Sequence, residues 1–220
     1  MTPQTERLFL SGAVGRIELA LDWPARPPRG VAFIAHPHPL FGGTMDNKVV
    51  TTLARAFVAL GWLAVRKNFR GVGQTEGQHD AGRGETEDFL RVVREVPELE
   101  AVSSRLAPEL PLAYAGFSFG SFVVARAARE VPPQRLVLVG SAAGKWAMPE
   151  VDPAAIVIHG ELDDTIPLAD VFDWARPQNL PVIVLPGADH FFHRRLTQLK
   201  RLVMLNLACE SGIDALDASL

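Results

Sequence analysis

The stretch PLAYAGFSFGSFVVARAARE, residues 111–130, decides the fold. An apolar run of strand length, PLAYA, passes into a helical segment, SFVVARAARE, through Gly116-Phe117-Ser118-Phe119-Gly120. A turn that only connects has little use for one serine between two glycines. The pattern G-x-S-x-G between a strand and a helix does: it holds the serine on a strained turn where side chains two before and two after would collide with backbone. Gly116 and Gly120 occupy those two positions. The helix opens at the serine, so its free amides and dipole favour negative charge developing nearby. Ser118 is the candidate nucleophile; the competing reading is a turn whose glycines merely let a helix pack closely on a strand.

Outward from this turn the chain alternates. RLFLSG and GRIELALDW repeat with period two about a glycine and predict an N-terminal antiparallel hairpin. After the Pro-rich WPARPPRG, VAFIA is an unbroken apolar run, as in a strand covered on both faces. MDNKVVTTLARAFVALG carries Val49, Val50, Leu53, Phe57 and Leu60 on one helical stripe and stops at Gly61. WLAVRKNF, RLVLVG, AIVIHG and PVIVLPG read as further strands; GETEDFLRVVREV and PLADVFDWAR read as helices. HFFHRRLTQLKRLVMLNLACE reads as a closing helix with Leu196, Leu199, Val203 and Leu207 as its apolar stripe. This order predicts an α/β fold, a mostly parallel, doubly wound sheet, in one domain spanning residues 1–220. Ligands of such sheets sit beyond the carboxyl ends of the strands. HPHPLFGG, RGVGQTEG, GFSFG, ELDDTIP and GADHFFH all fall there.

Composition narrows the partners. The 220 residues are 48% hydrophobic with a formal net charge of −3, which argues against nucleic acid or an anionic membrane as the main partner. The single cysteine, Cys209, excludes an internal disulfide, fits a reducing compartment and reads as a core residue of the last helix. The N-terminus lacks the pattern of a signal peptide and no apolar run is long enough to span a bilayer, so a soluble cytoplasmic protein is expected.

A serine nucleophile needs a base and the base an orienting acid, in the chain order Ser, Asp or Glu, His for this arrangement. Three of the six histidines follow Ser118. His159 ends a strand and reads as a packing or backbone-satisfying residue. His193 is placed one turn into the closing helix. His190, in the loop GADHFF, is free to reach over the serine and is favoured. For the acid, Asp163 is favoured over its neighbour Asp164, since it follows the strand directly and Pro167 suits the start of the next helix. Asp164 would then serve backbone amides at that helix start. Asp189 reads as a loop or helix-cap contact.

The order and spacing of Ser118, Asp163 and His190 within this alternation resemble the α/β-hydrolase superfamily across essentially the whole chain. HPHPLFGGTMDNKVV, NFRGVGQTEG and GRGETEDF are similar to segments of small bacterial serine hydrolases related to dienelactone hydrolase-type enzymes. The resemblance implies the α/β-hydrolase fold and a Ser–Asp–His hydrolase, and names no substrate. Acyl transfer needs two backbone N–H groups for the oxyanion. Phe119, directly after the nucleophile, is the first candidate. The resemblance to the corresponding dienelactone hydrolase loop points to Leu40 as the second, with His38 as the fallback; Pro37 and Pro39 have no N–H.

Other signals carry less. GVGQTEG has Glu76 where a dinucleotide fingerprint needs its third glycine, and no suitable helix opens from it. His36 and His38 flank a proline without an acidic or Cys partner at ligand spacing, so no metal is expected and no cofactor is implied. Arg70, Arg83 and Glu85 read as braces for loops. Only SAAGKWAMPEVDPA separates RLVLVG from AIVIHG, leaving no room for a helical cap. Phe41, Phe117, Phe119, Trp146, Met148 and Phe191 are candidates to line an apolar pocket, although most are individually better read as core. The expected partner is a small-molecule acyl ester, thioester or lactone; a peptidase or acyl transferase, or a non-catalytic scaffold, are the alternatives. Monomer and homodimer both remain open, as does any role of the tail ESGIDALDASL.

Overall fold

The computed structural model describes residues 4–213, with side chains through residue 208. The core position expected for Cys209, and the fraying or subunit packing expected for residues 210–220, lie outside those described side chains. In chain order the elements are β1 (Gln4–Gly12), β2 (Gly15–Trp23), β3 (Val31–Ala35), α1 (Lys48–Ala59), β4 (Leu63–Lys67), α2 (Arg83–Glu95), the one-turn α3 (Glu100–Ser103), β5 (Leu112–Phe117) and α4 (Phe119–Glu130). Then follow β6 (Arg135–Val139), β7 (Ile156–Gly160), α5 (Leu168–Ala175), β8 (Val182–Leu185) and α6 (Leu196–Ile213). The eight strands form one sheet in the order β1-β2-β4-β3-β5-β6-β7-β8. The hairpin joins β4 antiparallel, and all pairings from β4 to β8 are parallel.

Both faces of the sheet are covered, which is why its central strands are apolar at every position. On β3, Val31, Phe33 and Ala35 face a core shared with α2, α4 and α5. Ala32 and Ile34 face the second core, built with α1 and α6. The period of two therefore sorts one five-residue run into two cores. Phe33, Tyr114 and Phe89 pack edge-to-face at centroid separations of 5.1–6.4 Å. The buried Phe33 and Phe89 rings each contribute roughly 1.5–3 kcal/mol by leaving water, whereas Tyr114 buries a hydroxyl without a partner among the described residues. Asn47 caps α1 by accepting the Val49 N–H at 2.8 Å, and Gly61 (φ +84°) ends it.

The structure corrects the closing helix, which begins at Leu196 and not at His190. Phe192 and Arg194 both adopt left-handed backbone (φ +53° and +59°), incompatible with a continuing helix. His193 consequently lies in a turn before α6, its N–H bound to Asp189 Oδ1 at 2.9 Å. Between β6 and β7, residues 140–155 contain no helix, so the carboxyl end of the sheet carries no cap. No helix among the described residues is long and apolar enough to cross a membrane.

Candidate active site

Ser118 stands between β5 and α4 with φ +55°, a strained conformation for a residue with a side chain. The surroundings hold it there. Its N–H donates to Val139 O at 2.9 Å, and its carbonyl accepts both the N–H and the hydroxyl of Ser121, at 2.8 and 2.6 Å. The flanking glycines are required by contact: a Cβ on Gly116 would lie 2.6 Å from Ser121 Cα, and one on Gly120 2.6 Å from the carbonyl carbon of Ala35.

Asp163 and His190 arrive from the loops after β7 and β8. His190 Nε2 lies 3.1 Å from Ser118 Oγ and its Nδ1 lies 2.7 Å from Asp163 Oδ2. An ionised carboxylate can only accept, so the imidazole proton sits on Nδ1 and Nε2 is free to accept from the serine hydroxyl. Asp163 Oδ1 accepts the N–H groups of Thr165 and Ile166 at 3.0 and 2.7 Å. The amide-binding role expected of Asp164 therefore belongs to Asp163, because Asp163 is the buried carboxylate and Asp164 faces solvent, bound to the Thr165 hydroxyl. His193 does not reach Ser118; its side chain is 70% exposed and paired with Asp189.

His159 is fully buried, donates from Nε2 to Ile166 O at 2.9 Å, and has its pKa lowered chiefly by burial. His36 is also fully buried. Its Nε2 accepts the Phe69 N–H at 2.9 Å and its Nδ1 donates to Pro37 O at 2.6 Å, so both ring nitrogens tie the loop after β3 to the loop after β4. Arg70 grips Asp88 with two hydrogen bonds of 2.8 and 2.9 Å, and Glu85 accepts the N–H groups of Asp80 and Gly82. Exposed Arg83 reaches Asp80. All three sequence-identified braces thus hold loops.

Of the amides singled out for an oxyanion, Phe119 N–H has no partner among the described residues, as the first residue of a helix requires. Leu40 is placed differently from Phe119. Its N–H already donates to His38 Nδ1 at 3.2 Å, where His38 caps the short turn Pro39–Phe41, and its side chain is 71% exposed. Leu40 does not line the cleft, whereas His38 does, and the His38 N–H has no partner among the described residues.

The cleft has a volume of about 660 Å³ and holds Ser118 and His190 between Phe119, Trp146, Phe41 and Phe191. Phe117 and Met148 pack into the two cores instead. Lys145 and Asp164 are the charged side chains on its described lining. A cavity of similar size, about 640 Å³, opens beside Ala125, Arg129 and Asp152, away from any serine–histidine pair.

Residues 26–195 match the family model described as serine aminopeptidase, S33. The chain is similar to a lidless α/β serine hydrolase from Xanthomonas campestris: 35% identity, TM-score 0.84, 94% of this chain and 95% of that one covered. It is equally similar to an α/β serine hydrolase homologue from Coxiella burnetii, at 36% identity and TM-score 0.82 over 92% and 97% of the two chains. A dienelactone hydrolase from Anabaena variabilis shares the fold, with TM-score 0.71 at 17% identity over 93% and 96%.

Proposed function

The chain belongs to the serine aminopeptidase S33 family of α/β serine hydrolases, and from that membership we propose a carboxylesterase-like enzyme that cleaves short or medium acyl esters, thioesters or lactones through Ser118, His190 and Asp163. The observation that carries the reading is the hydrogen-bonded line from Ser118 Oγ to His190 Nε2 and from His190 Nδ1 to Asp163 Oδ2. Ser118 Oγ attacks the carbonyl carbon while its proton passes to His190 Nε2. The oxyanion is held by the Phe119 N–H and, in place of Leu40, the His38 N–H, each such donor being worth about 3 kcal/mol. Collapse expels the alcohol, which takes the proton from His190, and water repeats the sequence on the acyl-enzyme.

Hydrolysis at a peptide N-terminus, the activity in the family's description, asks for a fixed anion facing the substrate ammonium. Asp164 is the acidic side chain on the described lining, and it is open to water on a cleft that also carries Lys145. An open cleft with aromatic walls suits a small uncharged ester better. Labelling with a fluorophosphonate probe tests the reading: an adduct on Ser118, absent from Ser118→Ala, is expected. A folded protein that takes no label at Ser118 excludes it. Faster turnover of alanine p-nitroanilide than of p-nitrophenyl acetate would move the reading to a peptidase.

A further inference from the structure

The segments HPHPLFGG and GRGETEDF are not used up by Ser118, His190 and Asp163. They meet, with His79 between them, in a second imidazole cluster. Glu85, fully buried in the first turn of α2, lies at ion-pair distance, 2.8 Å, from Nδ1 of His79, although the contact lacks hydrogen-bond geometry. The His79 ring packs against the rings of His38 and Phe119 at 4.7 and 5.4 Å. The His38 ring in turn lies 4.8 Å from Phe41, 4.9 Å from Phe119 and 5.8 Å from Trp146. A polar ring is thus fixed inside the aromatic wall of the cleft.

Its proton can be located. Nδ1 accepts the Leu40 N–H, so a neutral His38 carries its hydrogen on Nε2. Burial, then the neighbouring His79, lowers the His38 pKa below its ordinary value, against an opposing pull from Glu85, which favours the neutral ring at pH 7. Nε2 has no protein acceptor among the described residues. In the proposed reaction His190 must reach the leaving oxygen, and on the cleft lining His190 packs against Phe191. The alcohol therefore leaves along that wall, and the acyl group lies toward His38 and Trp146.

We propose that the His38 imidazole, oriented by the Leu40 amide and the Glu85–His79 pair, donates its Nε2–H to an oxygen on the acyl chain close to the scissile carbonyl, so that the enzyme selects esters of hydroxy, alkoxy or keto acids over plain alkyl acids. The His38 side chain is in this respect a substrate-binding group, and the assignment rests on the serine hydrolase reading above. The test compares p-nitrophenyl methoxyacetate with p-nitrophenyl butyrate, which share a leaving group and chain length and differ by one ether oxygen. His38→Asn keeps the backbone N–H and an acceptor for Leu40 but loses Nε2–H. His79→Phe keeps the aromatic packing and cuts the link to Glu85.

The kcat/KM ratio of methoxyacetate to butyrate is expected to fall about fivefold in His38→Asn, the worth of one hydrogen bond, and in the same direction in His79→Phe. Intrinsic ester reactivity cancels because the ratio is compared with that of the unaltered protein. Equal slowing of both esters, or no change in either variant, overturns the inference and leaves a structural role. Ser118 labelling without turnover of either ester also overturns it while sparing the serine hydrolase. Absence of labelling removes both.

Discussion

Asp163 holds His190 with one carboxylate oxygen and its own loop with the other: Oδ2 lies 2.7 Å from His190 Nδ1 while Oδ1 takes the amides of Thr165 and Ile166. The two tasks separate in Asp163→Asn. An asparagine retains an acceptor for the amides but presents N–H to His190 Nδ1, driving the imidazole proton to Nε2, where it can no longer accept from Ser118. The expected result is a loss of roughly 10⁴ in kcat on p-nitrophenyl acetate, with the melting temperature nearly kept. Asp164→Asn, altering an exposed and screened charge, is expected to change kcat by less than about threefold. Comparable losses in the two variants would reverse the assignment.

The alternation of strands and helices and the turn at Ser118 were legible because both are written in local terms, period-two apolar runs and glycines where backbone crowds backbone. The place of His190 beside Ser118 was legible because a loop after a strand's carboxyl end can reach the turn between β5 and α4. The engagement of the Leu40 N–H was not legible because it depends on the His38 ring capping the turn, a side-chain event with no periodic signal. The start of α6 failed because HFFHRR continues a helical pattern, and neither Phe192 nor Arg194 is a residue that announces left-handed backbone. Lys67, inside the strand WLAVRKNF, is fully buried with its pKa pushed down to about 8. Burial drives that shift against Asp88 and Glu85, which reach it only in the folded chain. The His38–His79–Glu85 cluster was hidden for the same reason.

Gly120 and Gly42 invite unequal predictions for the same substitution. A Cβ at Gly120 would sit 2.6 Å from the Ala35 carbonyl carbon and 2.7 Å from His36 O, backbone atoms of a central strand end that cannot yield. Gly120→Ala is expected to lose about 3 kcal/mol or more of stability. Gly42 has φ +77° but nothing within 4 Å of its would-be Cβ, so Gly42→Ala meets only left-handed strain of about 1 kcal/mol. Urea denaturation of both measures the difference; equal losses would mean that the close approach of α4 to β3 is not rigid.

His36 makes stability depend on acid. Its Nε2 accepts the Phe69 N–H, so protonation there would break a buried hydrogen bond, and burial depresses its pKa from the ordinary 6.5 to about 3. The unfolded chain takes up this proton near pH 6.5 and the folded chain only near pH 3. Between those values the unfolded state binds more protons, so stability falls as pH falls, by roughly 1.4 kcal/mol per pH unit. From pH 7 to pH 5 the His36 share is about 2 kcal/mol. His159, also depressed by burial, acts with the same sign and stays in place when His36 is altered. His36→Gln is expected to be less stable at pH 7, since the Phe69 amide loses its partner, yet to lose about 2 kcal/mol less than the unaltered protein on going to pH 5. Denaturation curves at the two pH values give this difference directly. Parallel losses in the two proteins would show that His36 is not the group that titrates.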